Sequence, residues 1–164
     1  MAALALAGCA PELNWRDWRT DSPGVTLLFP CKPVRQQRTL AIGPTPRTVV
    51  LHVCDAGASS WAVAQMDVDA PDTRASVLKE LVAAVHANLA APSGAPVGAV
   101  PEGTDRLDGV GRYRVAGRTP GGEPRQAEHL LLAVGGRLIQ VSALGVRLDA
   151  EAVETFLGSV RVSR

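Results

Sequence analysis

Short runs of apolar and β-branched residues, separated by turn residues, occupy the first part of the chain. Such runs are typical of β-strands. They predict strands over residues 25–29, 36–42, 47–54 and 60–68. The Gly-Pro-Thr-Pro sequence at 43–46 lies between the second and third runs, so we expect a hairpin with a four-residue loop there. Ahead of these runs, Trp15 and Trp18 belong either to a short strand or to an entry segment.

A single long stripe of apolar residues follows, with the period of an α-helix. Pro71 opens it, and either Asp72 or Thr73 is suited to cap its amide end. The residues of the stripe are Val77, Leu78, Leu81, Val82, Val85 and Leu89. Because an amphipathic helix of this kind must bury its apolar face, we expect it to lie across a sheet.

Strand patterns return after the helix and lead to a second, shorter helix. Strands are predicted around 97–100 and over 110–118, 125–134 and 137–144. The pair Gly135 and Gly136 suits a two-residue hairpin turn. A short helix over 148–157 and a last strand over 160–162 complete the pattern. We therefore expect an α+β fold in which one antiparallel sheet is covered by a long central helix and a short C-terminal helix.

Composition limits the class of protein. The 164 residues fit one folded domain, which we place at residues 15–164. Hydrophobic residues make up 46% and charged residues 20%, values that exclude a disordered chain and a multispanning membrane protein. The formal net charge is +1, with 17 basic and 16 acidic residues spread along the sequence. This balance predicts no nucleic-acid partner.

The first nine residues form an uncharged apolar run that ends at a cysteine. Such a run is too short to cross a bilayer, which takes about 20 apolar residues, but it fits the end of a signal-peptide hydrophobic region. Leu6, Ala7, Gly8 and Cys9 resemble the bacterial lipobox, in which cleavage precedes an acylated cysteine. We expect residues 1–9 to be a truncated lipoprotein signal, with the start codon assigned too far downstream. The alternative is an alanine-rich terminus with a chance cysteine.

Lipidation of Cys9 would fasten the chain to a membrane. Residues 10–14 would then be a tether. Ala10 is not the aspartate associated with retention in the inner membrane, so the outer membrane is favoured. Each acyl chain contributes about 0.8 kcal/mol per buried methylene, and several chains together anchor stably. The predicted partners are the membrane, through acyl chains on Cys9, and another envelope protein.

The remaining cysteines, Cys31 and Cys54, form a candidate disulfide once Cys9 is assigned to lipid. Both lie near the ends of predicted strands, so their sulfurs could bond if those strands are neighbours. Two buried free thiols are the alternative. A metal site that also uses His52 has less support, because no Cys-x-x-Cys spacing is present.

The residues of this sequence that could take part in catalysis do not belong to any known catalytic motif. The natural general bases are three histidines, His52, His86 and His129. None lies in a motif, and the sequence has no Gly-x-Ser-x-Gly elbow, Gly-rich phosphate loop or His-Glu-x-x-His pair. Glu102, Asp105 and Asp108 could bind a cation, although an acidic loop is usually solvated. We predict no catalytic residue, no metal site and no cofactor.

The tryptophans have two interpretations. They could form an aromatic contact surface, or they could be residues of the core and its edge, as expected in a chain with few aromatic side chains. The three are Trp15, Trp18 and Trp61.

Two segments carry a family resemblance. Val-Thr-Leu-Leu-Phe-Pro-Cys-Lys-Pro begins at Val25, and Glu-Thr-Phe-Leu-Gly-Ser-Val-Arg-Val begins at Glu154. Together with the order of predicted elements, they resemble the PsbP-like sandwich and the DcrB-like bacterial lipoproteins over residues 15–164. The chain departs from the pattern at Cys31, where glycine is expected. The resemblance implies a PsbP-like sandwich fold and a non-enzymatic accessory or scaffold role, although a fold does not confer a function.

These observations predict a lipid-anchored, non-catalytic binding or accessory module of the bacterial cell envelope, facing the periplasm. A carrier of a small apolar ligand, held between sheet and helices, is an alternative. An unrecognised hydrolase is a further one.

Overall fold

Antiparallel β-sheet dominates the computed structural model, which describes residues 12–163. Strands account for 47% and helices for 16%. Over the described residues there are nine strands, arranged in a six-stranded and a three-stranded sheet, and two helices.

The predicted elements are largely confirmed, with shifts of a few residues at their ends. The strands are β1 (Arg16–Arg19), β2 (Gly24–Phe29), β3 (Val34–Ile42), β4 (Thr45–Ala56), β5 (Ser59–Asp67), β6 (Gly111–Arg118), β7 (Pro124–Val134), β8 (Arg137–Gly145) and β9 (Arg161–Ser163). The helices are α1 (Pro71–Ala87) and α2 (Ala150–Gly158). The strand expected around 97–100 is wrong, because this stretch is a loop tied to β6 through the Val97 amide and the Arg112 carbonyl.

The six-stranded sheet has the order β3-β4-β5-β8-β7-β6 and is antiparallel throughout. Ile42 pairs with Thr45, so the β3–β4 loop is two residues long and the expected four-residue loop is wrong. Gly43 supplies the positive φ, +72°, that such a turn needs. Pro46 can continue the strand because β5 pairs with β4 only from Val50 onward.

A second sheet, with the order β1-β2-β9, covers one face of the first together with α2. Three aromatic rings meet in the interior between them. Phe29 of β2 and Trp61 of β5 each pack edge-on against Phe156 of α2, with ring centroids 5.3 and 5.2 Å apart. All three side chains are almost fully buried, so this interior is filled by packed rings.

Helix α1 lies on the opposite face of the six-stranded sheet. Leu78 and Leu81 belong to the same core cluster as Leu131 and Leu138 of the sheet. Strand β7 shows the division between the faces, since Leu130 contributes to the first core and Leu131 to the second. The stripe predicted for this helix therefore covers a sheet, as expected.

The predicted overall architecture, an α+β PsbP-like sandwich of one sheet with a long central helix, is wrong. The chain is mostly β, its helices are short, and β1, β2 and β9 form a sheet of their own. The physical reason is long-range pairing. Gly24 of β2 pairs with Ser163 of β9, at the other end of the chain, and a local hydrophobic pattern carries no information about such a partner.

The two helices begin in different ways. The N-cap of α1 is Ala70 and makes no side-chain cap bond, so the predicted cap at Asp72 or Thr73 is wrong. The helix starts at Pro71, whose fixed φ suits a first helical position. At α2, Asp149 caps the helix, and its side chain accepts a hydrogen bond of 2.7 Å from the Ala152 amide.

Candidate functional site

An open groove of about 680 Å³ lies beside the loop between β1 and β2. Its volume is in the range of small-molecule sites. The residues that line it are Arg19, Thr20, Asp21, Arg35, Pro46, Arg47, Thr48, Val50, His52, Gln65, Met66, Asp67 and Arg137. They come from β1, the following loop, β3, β4, β5 and β8, so the groove exists only in the folded chain.

Strand alternation places the polar lining on one face of the six-stranded sheet, with the exception of Arg47. Arg35 of β3 stands opposite His52 of β4, and Gln65 of β5 stands opposite Val50 of β4. His52 in turn pairs with Val63, a residue of the core under the three-stranded sheet. The groove therefore lies on the same face of the six-stranded sheet as that core. The three-stranded sheet covers the apolar part of this face and leaves the polar part open.

Arg137 fixes one wall of the groove. Its Nη1 donates to the carbonyl oxygens of Asp21 and Pro23, at 3.0 and 2.9 Å, and so holds the β1–β2 loop against the six-stranded sheet. Its Nε donates to Asp67 Oδ1 at 2.8 Å. With these donors engaged, Arg137 acts as a positioning residue for the loop.

The groove concentrates positive charge. Four arginines and two aspartates line it, whereas the whole chain has a net charge of only +1. Arg19 is exposed, and its side chain has no hydrogen-bond or ion-pair partner between residues 12 and 163. Arg35 is exposed too and makes one long hydrogen bond, 3.5 Å, to Gln37 Oε1. Both guanidinium groups can thus turn to an anion in the groove.

Buried polar atoms without partners point to the same place. Among the described residues four such atoms occur, and two of them, Gln65 Oε1 and His52 Nδ1, belong to side chains on the groove face of the sheet. Arg47 Nε is a third, but Arg47 has the strand parity of the core residue Val49 and so lies on the α1 face. Gln65 is only 9% exposed. Buried polar atoms are hydrogen-bonded in the great majority of cases, so an orphaned atom calls for a specific cause.

His52 is a neutral hydrogen-bonding group in this setting. Burial lowers its pKa from 6.5, and the charge of Arg35 lowers it further, while Asp21 acts in the opposite direction. Its ring lies 4.8 Å, centroid to centroid, from that of Trp18. A neutral imidazole offers one donor and one acceptor nitrogen.

The structure does not bring the three histidines together. His86 and His129 lie on the α1 side of the six-stranded sheet, whereas His52 lines the groove on the other side. His86 Nδ1 is 2.9 Å from the Val82 carbonyl oxygen, and its Nε2 accepts from the Gly94 amide at 3.1 Å. Both ring nitrogens of His86 are therefore engaged by the backbone.

His129 sits in a hydrogen-bonded cluster on β7 and β8. Its Nδ1 is 2.7 Å from Ser142 Oγ and 3.1 Å from Gln140 Nε2. Since an amide nitrogen only donates, Nδ1 is the acceptor and the proton resides on Nε2. Burial, with a smaller contribution from the charge of His86, lowers the pKa of His129 to about 4, against the opposing effect of Glu128. This histidine is neutral at pH 7.

Cys31 and Cys54 form a disulfide, with their Cα atoms 6.1 Å apart. Cys31 follows β2 of the three-stranded sheet and Cys54 lies in β4 of the six-stranded sheet. The bond thus joins the two sheets, two positions along β4 from His52. It removes the alternatives of free thiols and of a metal site on these cysteines.

The tryptophans occupy the rim and the interior of one core. Trp61 is 2% exposed. Trp15 and Trp18 are half-buried and pack against the same core, Trp15 on Trp61 and Trp18 on Phe29.

The acidic loop makes an ion pair. Arg74 Nη1 lies 3.3 Å from Asp105 Oδ2. Among the side chains that the structure describes, no three from His, Cys, Asp or Glu are grouped so that they could hold a metal ion.

The predicted lipobox, Leu6, Ala7, Gly8 and Cys9, lies outside the described residues. Within the described part of the chain, neither helix combines the length and the hydropathy that crossing a membrane requires.

Sequence reasoning missed the arginines of the groove. Arg19, Arg35, Arg47 and Arg137 lie in four separate segments of the sequence. One feature of the sequence indicated a polar surface in this region. The strand that contains Arg35 is polar at most positions, although it is part of a sheet. Such a strand presents its side chains to solvent or to a ligand.

No protein-family model and no curated protein sequence matches this chain. The resemblance to the PsbP-like and DcrB-like proteins therefore stays a prediction.

Proposed function

We propose that this protein is a lipid-anchored binding or accessory module of the bacterial cell envelope, without enzymatic activity. The observation that carries the proposal is the Cys31–Cys54 disulfide between the two sheets. Structural disulfides persist in oxidising compartments such as the periplasm and are rare in the cytosol. Because Cys31 and Cys54 bond to each other, the third cysteine, Cys9, is left for another purpose.

The anchor in this proposal is Cys9. The apolar run that ends in Leu-Ala-Gly-Cys supports cleavage and acylation at this position. Acyl chains on Cys9 would bind the membrane, and Ala10 favours sorting to the outer membrane. The folded body would face the periplasm and act on another envelope protein or on a small ligand.

The groove supports a binding role more than the alternative of an apolar carrier. Its lining is rich in charged groups. The space between the two sheets, where an apolar ligand would sit, is filled by Phe29, Trp61 and Phe156. A carrier would need an apolar cavity of several hundred Å³ there.

Acylation and location test the anchor. The gene would be expressed with the genomic codons upstream of Met1 in a Gram-negative host, and the membranes would be fractionated. Mass spectrometry is expected to show an N-terminal peptide that begins at acylated Cys9, in the outer-membrane fraction. A Cys9→Ser variant is expected to leave that fraction. Unprocessed protein in the cytosol with an unmodified Cys9 would overturn the proposal.

The accessory role has a separate test. Chemical crosslinking in intact cells, followed by purification of the tagged protein, is expected to return an envelope protein in stoichiometric yield. A matched lipoprotein carrying the same tag and signal serves as control. Recovery of the same proteins with both baits would contradict a specific partner.

A further inference from the structure

We infer that the arginine-lined groove binds a small anion that also carries hydroxyl groups, of the sugar-acid or sugar-phosphate type. This rests on the proposed function as a binding module and names the class of ligand that the module takes. Three features of the groove lead to it: its charge, its unpartnered buried atoms and its size.

The charge of the groove selects an anion. Arg19 and Arg35 project from exposed positions of two separate strands, and neither is held by a carboxylate. Of the two aspartates that line the groove, Asp67 is already bonded to Arg137, which leaves Asp21 as one carboxylate against the two arginines. A guanidinium donates in a planar fork that matches carboxylate and phosphate oxygens. These two side chains are thus available for such a group.

The unpartnered atoms select hydroxyl groups. Gln65 Oε1 is an acceptor in a side chain that is 9% exposed, and His52 Nδ1 is a second buried atom without a partner. A bare anion cannot donate to the Gln65 oxygen. A hydroxyl both donates and accepts, so it can satisfy either atom. Both residues belong to neighbouring strands that line the same groove.

The size of the groove favours a ligand larger than a simple ion. A volume of about 680 Å³ leaves room for a monosaccharide or a longer chain beside the arginines. Polar lining residues such as Thr48 and Asp21 add further hydrogen-bonding groups for a polyhydroxylated ligand.

Four probes separate the contributions of charge and hydroxyl groups. Isothermal titration calorimetry of the full, oxidised chain would use glucuronate, glucose 6-phosphate, glucose and acetate. We expect glucuronate or glucose 6-phosphate, or both, to bind at least about tenfold more tightly than glucose, which lacks the charge, and than acetate, which lacks the hydroxyls. The two anionic sugars distinguish a carboxylate ligand from a phosphate ligand.

A matched pair of variants on β3 locates the site. Arg35→Gln is expected to weaken binding of the anionic sugar about tenfold. Arg38→Gln is the control, because Arg38 is an exposed arginine of the same strand, opposite the core residue Val49 and so on the other face of the sheet. It is expected to leave the affinity unchanged.

Gln65→Leu tests the hydroxyl contact without a loss of folding. Leucine has a similar size and leaves no orphaned oxygen, so the melting temperature is expected to stay the same or to rise. Affinity for the anionic sugar is expected to fall about tenfold, toward that of acetate. A preserved fold with lost affinity separates a ligand contact from a structural role.

The inference is overturned if neither anionic sugar binds, or if glucose or acetate binds as tightly as they do. Equal losses in Arg35→Gln and Arg38→Gln, or an unchanged affinity in Gln65→Leu, would also overturn it. Its failure is distinguishable from failure of the anchor. Titration uses purified protein and does not depend on Cys9, whereas fractionation and mass spectrometry do not depend on the groove.

Discussion

The side chains of Arg137 and Asp67 meet across the β5–β8 pair, with 2.8 Å between Nε and Oδ1. The same guanidinium donates to the carbonyl oxygens of Asp21 and Pro23 in the β1–β2 loop. Arg137 therefore connects the two sheets at the end of the groove. The Cys31–Cys54 disulfide is a second connection between the same two sheets.

Replacing Arg137 should loosen this connection. Arg137→Ala removes three hydrogen bonds of a side chain that is 17% exposed, and we expect the free energy of unfolding to fall by about 1–2 kcal/mol. Urea denaturation measures the change. Arg125→Ala is the control, because Arg125 pairs with the exposed Glu123 two positions earlier in the chain and should matter by less than about 0.5 kcal/mol. Equal effects of the two variants would contradict this assignment.

The disulfide should account for a large part of the stability. Cys31 and Cys54 are 23 positions apart, and closing a loop of this size contributes about 3 kcal/mol in the chain-entropy model. We expect the double variant Cys31→Ser/Cys54→Ser to lose that amount in urea denaturation. Reduction with dithiothreitol should lower the stability of the natural chain similarly and leave the double variant unchanged. A natural chain that is insensitive to the reductant would contradict the prediction.

His129 should make stability depend on pH. The pKa of this histidine is about 4 in the folded chain against an ordinary 6.5. Between these values the unfolded chain binds more protons, so the free energy of unfolding falls as the pH drops from 6.5 to 4. The full loss is on the order of 3 kcal/mol, and it stays constant below pH 4.

A substitution checks the source of this pH dependence. His129→Gln removes the titrating ring, so the decline between pH 6.5 and 4 should become much shallower in urea denaturation at a series of pH values. The remaining decline would come from His52, whose pKa burial and Arg35 also lower. Identical slopes for the natural chain and the variant would rule out His129 as the source.

Gly117 should tolerate no side chain. A Cβ at this position would overlap the carbonyl oxygen of Leu89, which accepts a hydrogen bond from the Arg118 amide. We expect Gly117→Ala to lower the free energy of unfolding by about 1–3 kcal/mol, the usual cost of overpacking. Gly121→Ala is the control, since its nearest neighbour would be Thr119 Oγ1 at 3.8 Å. Thermal unfolding compares the two, and an unaffected Gly117→Ala would refute the expected clash.

The sequence by itself determined most local elements and the division of α1 into an apolar and a polar face. These follow from the spacing of residues such as Val77 and Leu81, which local periodicity encodes. It also singled out Cys31 and Cys54 as a candidate pair.

Only the tertiary structure decided which strands share a sheet and which side chains share a groove. Strand β2 pairs with β9, which lies at the other end of the chain. The groove likewise brings residues of separate strands together, namely Arg19, Arg35, His52 and Gln65. Their contacts depend on long-range strand register, which is set when the whole core packs and not by neighbouring residues. For that reason the element pattern was predictable, while the second sheet and the groove were not.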